Sequence, residues 1–167
     1  PRMATQVAGL EPRLATDWFV PSDPPGGRIG SGGGTAHLLV EAWRATGGGQ
    51  SFTDWLHASR KLLVHAGGES RRLPAYAAVG KACLPMPVLR WSLGQRLDQT
   101  LLDLQLPWYE HVVTNGPASA RVAVYSGDAL LRGPRLLPAL PAVDVLVLGL
   151  WVKPEQARHH GVFFCPK

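Results

Sequence analysis

The run Lys61-Leu62-Leu63-Val64-His65 limits what this chain can fold into more than any other segment. It is short, apolar at its centre, and delivered straight into Ala66-Gly67-Gly68. A continuous apolar run of this length, bounded by a turn, reads as a strand covered on both faces, the usual condition of a parallel sheet. Arg121-Val122-Ala123-Val124-Tyr125 repeats the pattern and stops at Ser126-Gly127-Asp128. Residues 144–149 give the clearest version of all, and Gly161 begins one more strand.

Helical spacing lies between these runs. Leu38, Leu39, Ala42 and Trp43 predict a helix over residues 35–45, ended by Gly47-Gly48-Gly49. Ser51 or Thr53 is placed to cap a second helix over residues 53–60. Leu93, Leu97, Leu101 and Leu104 form the stripe of a third, starting at Ser92 or Gly94, with Pro107 as its stop and a further turn or two over residues 108–113. Pro154 suits a last helix start, and Trp18-Phe19-Val20 is β-prone. Strands alternating with helices predict an α/β domain with a mainly parallel sheet.

The chain has 167 residues, the scale of one domain. With 19 glycines and 15 prolines it is well above average usage of about 12% for the pair. Apolar residues at 46% exclude disorder driven by charge, and Cys83 and Cys165 are too few for a disulfide framework. The excess glycine and proline must therefore sit in loops of a folded domain. Residues 143–152 are the longest apolar run, far short of the roughly 20 that span a bilayer. With no basic-then-apolar leader visible, the expectation is a cytoplasmic protein without membrane association. The net charge of +5 is spread over scattered arginines, not a basic block. That pattern suits a phosphorylated small molecule as well as it suits nucleic acid.

Three places carry the chemistry. Gly30-Ser31-Gly32-Gly33-Gly34-Thr35 reads as a loop opening the first helix. Backbone N–H groups without side chains can close around phosphate oxygens there, helped by the helix dipole. It lacks the Lys-Ser/Thr of a P-loop, and a plain surface turn is the ordinary alternative. The second place is Gly67, Gly68, Arg71 and Arg72, with Gly80-Lys81 further on: room for a triphosphate beside three cations. The third is Asp128, just past a strand's carboxyl end, where α/β sheets keep ligands and where a carboxylate suits Mg²⁺. His159-His160-Gly161 is weaker, since adjacent histidines point apart. Surface charge is the competing reading for each arginine, and a turn cap for Asp128.

Taken in order, these segments resemble a known family. Residues 30–39, 58–65, 67–76 with Gly80-Lys81, 95–107, Ser126-Gly127-Asp128, Gly149-Leu150-Trp151 and residues 160–163 are similar to the fucose-1-phosphate guanylyltransferase (GDP-fucose pyrophosphorylase) portion of bifunctional L-fucokinase enzymes. The resemblance implies a Rossmann-like nucleotidyltransferase fold that joins GTP and fucose 1-phosphate into GDP-fucose, with Mg²⁺. It implies that Gly30, Ser31, Gly32, Gly33, Gly34, Thr35, Gly67 and Gly68 bind the nucleotide. Arg71, Arg72 and Lys81 would neutralise the phosphates, Asp128 would hold Mg²⁺, and His160 and Gly161 would lie near the sugar. The glycines and the Arg–Lys signature are split over two loops here, so which loop wraps which phosphate stays open. The kinase of bifunctional members has no room in 167 residues. The expectation is an N-terminal fragment, residues 1–167, incomplete at its C-terminus and followed in a parent protein by a kinase domain. Two other readings compete: a non-catalytic nucleotide- or sugar-phosphate-binding module, and a basic domain binding RNA or DNA. The third predicts aromatics interleaved with a basic stripe, whereas the six tryptophans mostly sit beside leucines at core spacing.

Overall fold

A computed structural model describes residues 18–24, 29–66, 74–76, 80–86, 99–133, 138–158 and 162–163. The elements run α1 (Gly30–Thr46), α2 (Phe52–Ala58), β1 (Lys61–His65), α3 (Leu101–Asn115), β2 (Val122–Ser126) and α4 (Pro154–Ala157). Single 3-10 turns lie at Pro74–Tyr76 and Lys81–Cys83. β1 and β2 pair in parallel, Lys61 against Val122 through His65 against Ser126. The described residues are thus a helix-and-strand mixture around a small two-stranded parallel sheet, compatible with an α/β fold.

The sheet is held from one side by α3. Leu101, Leu102, Leu106 and Tyr109 are buried along it, and Leu102 meets Ala82 in a cluster that also takes in Trp18, Val64 and Ala66. Thr100 starts α3 with a capping box: its hydroxyl accepts from Asp103 N–H while Asp103 accepts from Thr100 N–H. The two donors left over at a helix start are thereby satisfied reciprocally. This places the start at Leu101, and Pro107 lies inside the helix instead of ending it. The missing N–H and ring of Pro107 cost about 3 kcal/mol in an isolated helix. The apolar face on either side of it, Leu101 to Tyr109, outweighs that penalty.

Arg60 finishes α3 from across the fold. Its guanidinium donates to the carbonyls of Val113, Thr114 (3.0 Å), Gly116 (3.3 Å) and Pro117 (3.4 Å). Gly116 has φ −69°, so no left-handed glycine turn closes this helix and the arginine does that work. Lys61 treats α2 likewise, donating to the carbonyls of Trp55, Leu56 and Ser59 with its ammonium 4.3 Å from the Trp55 ring centre. We expect Arg60→Ala to lower the unfolding free energy by about 2 kcal/mol, since several charge-assisted bonds to carbonyls are lost together. Arg60→Lys should recover only part, lacking the fork. Urea denaturation of the three proteins checks this, and equal midpoints would remove Arg60 from the fold's supports.

Several expectations need correction. Residues 30–35 are not a loop: α1 begins at Gly30. Glycine disfavours helix by about 1 kcal/mol per residue, so contacts must hold these turns, and they are described below. Residues 144–149 form no strand; they are exposed and in no regular element, with Val145 at 78%. An apolar run reports affinity for a covered position but not a hydrogen-bonded neighbour, and here neither sheet edge receives it. Trp151, 95% exposed, correspondingly departs from the core reading of the tryptophans. Residues 18–20 form no strand either; Trp18 packs against the Ala82–Leu102 cluster. Residues 91–98 and most of the strand expected from Gly161 lie outside the described residues. Among the described residues, no helix is long and apolar enough to cross a membrane.

Candidate functional site

The carboxyl ends of β1 and β2 bring the chemistry-bearing side chains together. His65 and Ser126 are register partners at the last position of each strand. Beyond them the chain turns, and Gly127 N–H donates to the His65 carbonyl at 2.8 Å. That turn delivers Asp128 to the sheet edge.

Asp128 uses both carboxylate oxygens. Lys81 Nζ lies 2.7 Å from Oδ2, and Ser126 Oγ donates to Oδ1 at 2.5 Å. The hydrogen bond from Lys81, then that from Ser126, hold the Asp128 carboxyl below its ordinary value, with burial opposing them. Asp128 is therefore ionised at neutral pH. Both side chains stay partly exposed, 34% for Lys81 and 44% for Asp128. Such a pair contributes little to stability, but a ligand in solution can reach it.

The placement of Lys81 begins with Gly80, whose φ of +79° lies in the region open to glycine. The 3-10 turn follows at once. It is then anchored by Leu101 N–H to the Leu84 carbonyl (2.9 Å) and Met86 N–H to the Gln99 carbonyl (2.8 Å). The residues that open α3 thus also hold the turn that presents Lys81. Tyr109, on α3, supports the other half: its hydroxyl donates toward the Ser126 carbonyl (3.3 Å) and the Ala129 carbonyl (3.5 Å).

On the β1 side, His65 Nε2 is 2.8 Å from Thr35 Oγ1. Thr35 Oγ1 in turn donates to the Ser31 carbonyl at 3.0 Å. A Cβ on Gly34 would sit 3.4 Å from His65 Cε1, so the helix rides directly on the imidazole. On Gly33 it would strike the Ile29 side chain at 2.9 Å. Crowding thus accounts for glycine at position 33, and a φ of +70° for glycine at position 30. Ile29 offers no side-chain cap, so the first N–H groups of α1 have no cap from that residue.

Of the residues expected from sequence, Lys81 and Asp128 are brought into contact, and Gly34 and Thr35 are brought onto His65. Gly67, Gly68, Arg71, Arg72, His160 and Gly161 lie outside the described residues. The sequence reading gave no role to the side chains of His65 and Ser126. Their signal was available: each is the polar last residue of an apolar strand run. Among the described residues, no group of three or more His, Cys, Asp or Glu could cage a metal. Mg²⁺ needs no such cage. It takes one or two carboxylates and completes its shell with phosphate and water, and an exposed, ionised Asp128 fits that donor set.

The family model described as the fucose pyrophosphorylase domain matches residues 53–167, which include β1, Lys81, β2 and Asp128. An L-fucokinase/L-fucose-1-P guanylyltransferase of Bacteroides fragilis is 49% identical over 92% of this chain and 16% of its own length. The bifunctional fucokinase/GDP-fucose pyrophosphorylase of Arabidopsis thaliana is 32% identical over 87% of the chain and 15% of its own length. The fucose-1-phosphate guanylyltransferase of Mus musculus is 34% identical over 68% and 17% respectively. The chain thus spans about a sixth of the length of these relatives. No solved structure matches it.

Proposed function

Because the chain belongs to the fucose pyrophosphorylase family, we propose that it is part of a nucleotidyltransferase that transfers GMP from GTP to fucose 1-phosphate, giving GDP-fucose and pyrophosphate. The observation that carries this is the Lys81–Asp128–Ser126 cluster, accessible at the carboxyl edge of a parallel strand pair and inside the family-matched residues. Ligands of open α/β sheets bind outside that edge. The finer fold that goes with this reading is a Rossmann-like nucleotidyltransferase, in a cytoplasmic parent protein that also carries L-fucokinase activity, as the names of two relatives state for those proteins.

In the reaction an oxygen of fucose 1-phosphate attacks the α-phosphorus of GTP, and the bond from that phosphorus to the bridging oxygen breaks. Its electrons leave with pyrophosphate. The protein's part is positioning and charge neutralisation. The Lys81 ammonium would offset charge on the phosphates, joined in this reading by Arg71 and Arg72. The N–H groups at the start of α1 would receive phosphate oxygens, with Gly67 and Gly68 leaving room for the rest. Asp128 would hold Mg²⁺, which supplies charge neutralisation on the phosphates. His160 and Gly161 would face the sugar.

The test is pyrophosphate release by the complete natural protein with GTP, Mg²⁺ and fucose 1-phosphate. Release that requires all three supports the reading. Folded protein with no release above background overturns it, and thermal stabilisation by GTP in that case would identify a binding module without turnover.

A further inference from the structure

We infer that His65 is a positioning residue that fixes the glycine-rich first turns of α1 to the sheet edge bearing Lys81 and Asp128, and through them sets the affinity for GTP. The inference rests on the function proposed above. It begins with Thr35, whose Oγ1 lies 2.8 Å from His65 Nε2 and 3.0 Å from the Ser31 carbonyl. The contacts run from His65 through Thr35 to the Ser31 backbone, one turn back along α1.

Three further facts make this tie consequential. The first turns of α1 have glycines at 30, 32, 33 and 34 and no side-chain cap, so local propensity does not hold them. The ring of His65 also packs under Gly34, in ordinary contact with the place a Cβ would take. On the sheet, His65 is the register partner of Ser126, whose hydroxyl grips Asp128 and, through it, Lys81. Register partners in a parallel pair project to the same face. The two polar ties, His65 to Thr35 from one strand and Ser126 to Asp128 and Lys81 from the other, thus start side by side at one end of the sheet. Loosening the first at His65 moves one group of phosphate contacts relative to the other. The sugar phosphate is not held by α1 in this reading, so the effect falls on GTP.

Steady-state kinetics of the complete natural protein test this with His65→Ala, His65→Gln, Thr35→Val and Thr35→Ser. Loss of one partly buried hydrogen bond predicts that His65→Ala and Thr35→Val raise KM for GTP about five- to tenfold while KM for fucose 1-phosphate moves less than about twofold. Thr35→Ser, which keeps the hydroxyl, should restore the wild-type value. His65→Gln, whose amide can reach the same oxygen, should restore most of it. The double variant His65→Ala/Thr35→Val should be no worse than the worse single, because both remove one tie. If His65→Ala does not fold, the Val and Ser variants at position 35 decide alone. Unchanged KM for GTP in folded variants of an active enzyme, or equal rises for both substrates, overturns the inference and leaves the function standing. A folded wild-type protein with no pyrophosphate release overturns both.

Discussion

Lys81→Ala is expected to lower kcat/KM for GDP-fucose formation by roughly a hundred- to a thousandfold, the usual scale for removing one preorganised group that meets charge developing in the transition state. The expectation follows from how much of the local structure serves this one ammonium. Gly80 turns the chain through a φ of +79°. The following 3-10 turn is tied to the start of α3 by the bond from Leu101 to Leu84. Asp128, itself gripped by Ser126, fixes the ammonium at 2.7 Å. The same contact contributes little to folding, because both partners are partly exposed and exposed pairs are worth about 0–1 kcal/mol. Activity and stability should therefore separate: the variant loses turnover while its unfolding midpoint hardly moves. Lys81→Arg should recover little, since a planar fork replaces a compact point charge in a turn built for the latter. Kinetics and denaturation of the same preparations check both halves. A folded Lys81→Ala enzyme with wild-type kcat/KM would return Lys81 to ordinary surface charge.

The parts of this fold that could be read from sequence are those fixed locally. β1 is found at the expected residues and β2 one residue later, each a short apolar run that ends at a polar residue. Ser51 caps α2 by accepting from Asp54 N–H, again a signal contained within four residues. Where the outcome depends on distant partners, the reading fails. Four glycines near the start of α1 looked like a loop because nothing in the run itself says that Thr35 will meet His65, 30 positions on. Pro107 looked like a stop because its neighbours' burial on the sheet is not visible in the residues around it. Residues 144–149 looked like a strand because apolarity was legible and the lack of a neighbour was not. The site divides the same way. Asp128 and Lys81 were each legible, one from a strand end and one from a Gly-Lys step. Their contact, across 47 positions of sequence, was not.

Tyr109→Ala is expected to destabilise the chain more than any other single change considered, by about 3–5 kcal/mol, the range for emptying a buried aromatic site. Against a total stability of about 5–15 kcal/mol this takes a large share. The side chain is 1% exposed and stacks on Tyr125 with ring centres 3.9 Å apart and planes at 18°. It thereby joins α3 to β2, and its hydroxyl bonds underlie the turn that carries Asp128. Tyr109→Phe keeps the stack and should cost only about 1 kcal/mol, since the two hydrogen bonds it loses are long. The phenol also gives an alkaline signature. Burial first, then Tyr125 and the charge of Asp128, raise the Tyr109 pKa above its ordinary value, and burial raises that of Tyr125. A group whose folded pKa is raised binds its proton more tightly when folded. Its contribution is complete below the ordinary tyrosine value of about 10 and is lost as pH climbs from there through the raised one. Tyr109→Phe removes one of the two phenols, so unfolding free energy should fall less steeply above about pH 10 than in the wild type. Urea titrations of the three proteins on both sides of that pH measure the cost and the slope together. Equal stability of Tyr109→Ala and wild type would mean that α3 is held to the sheet by its leucines alone.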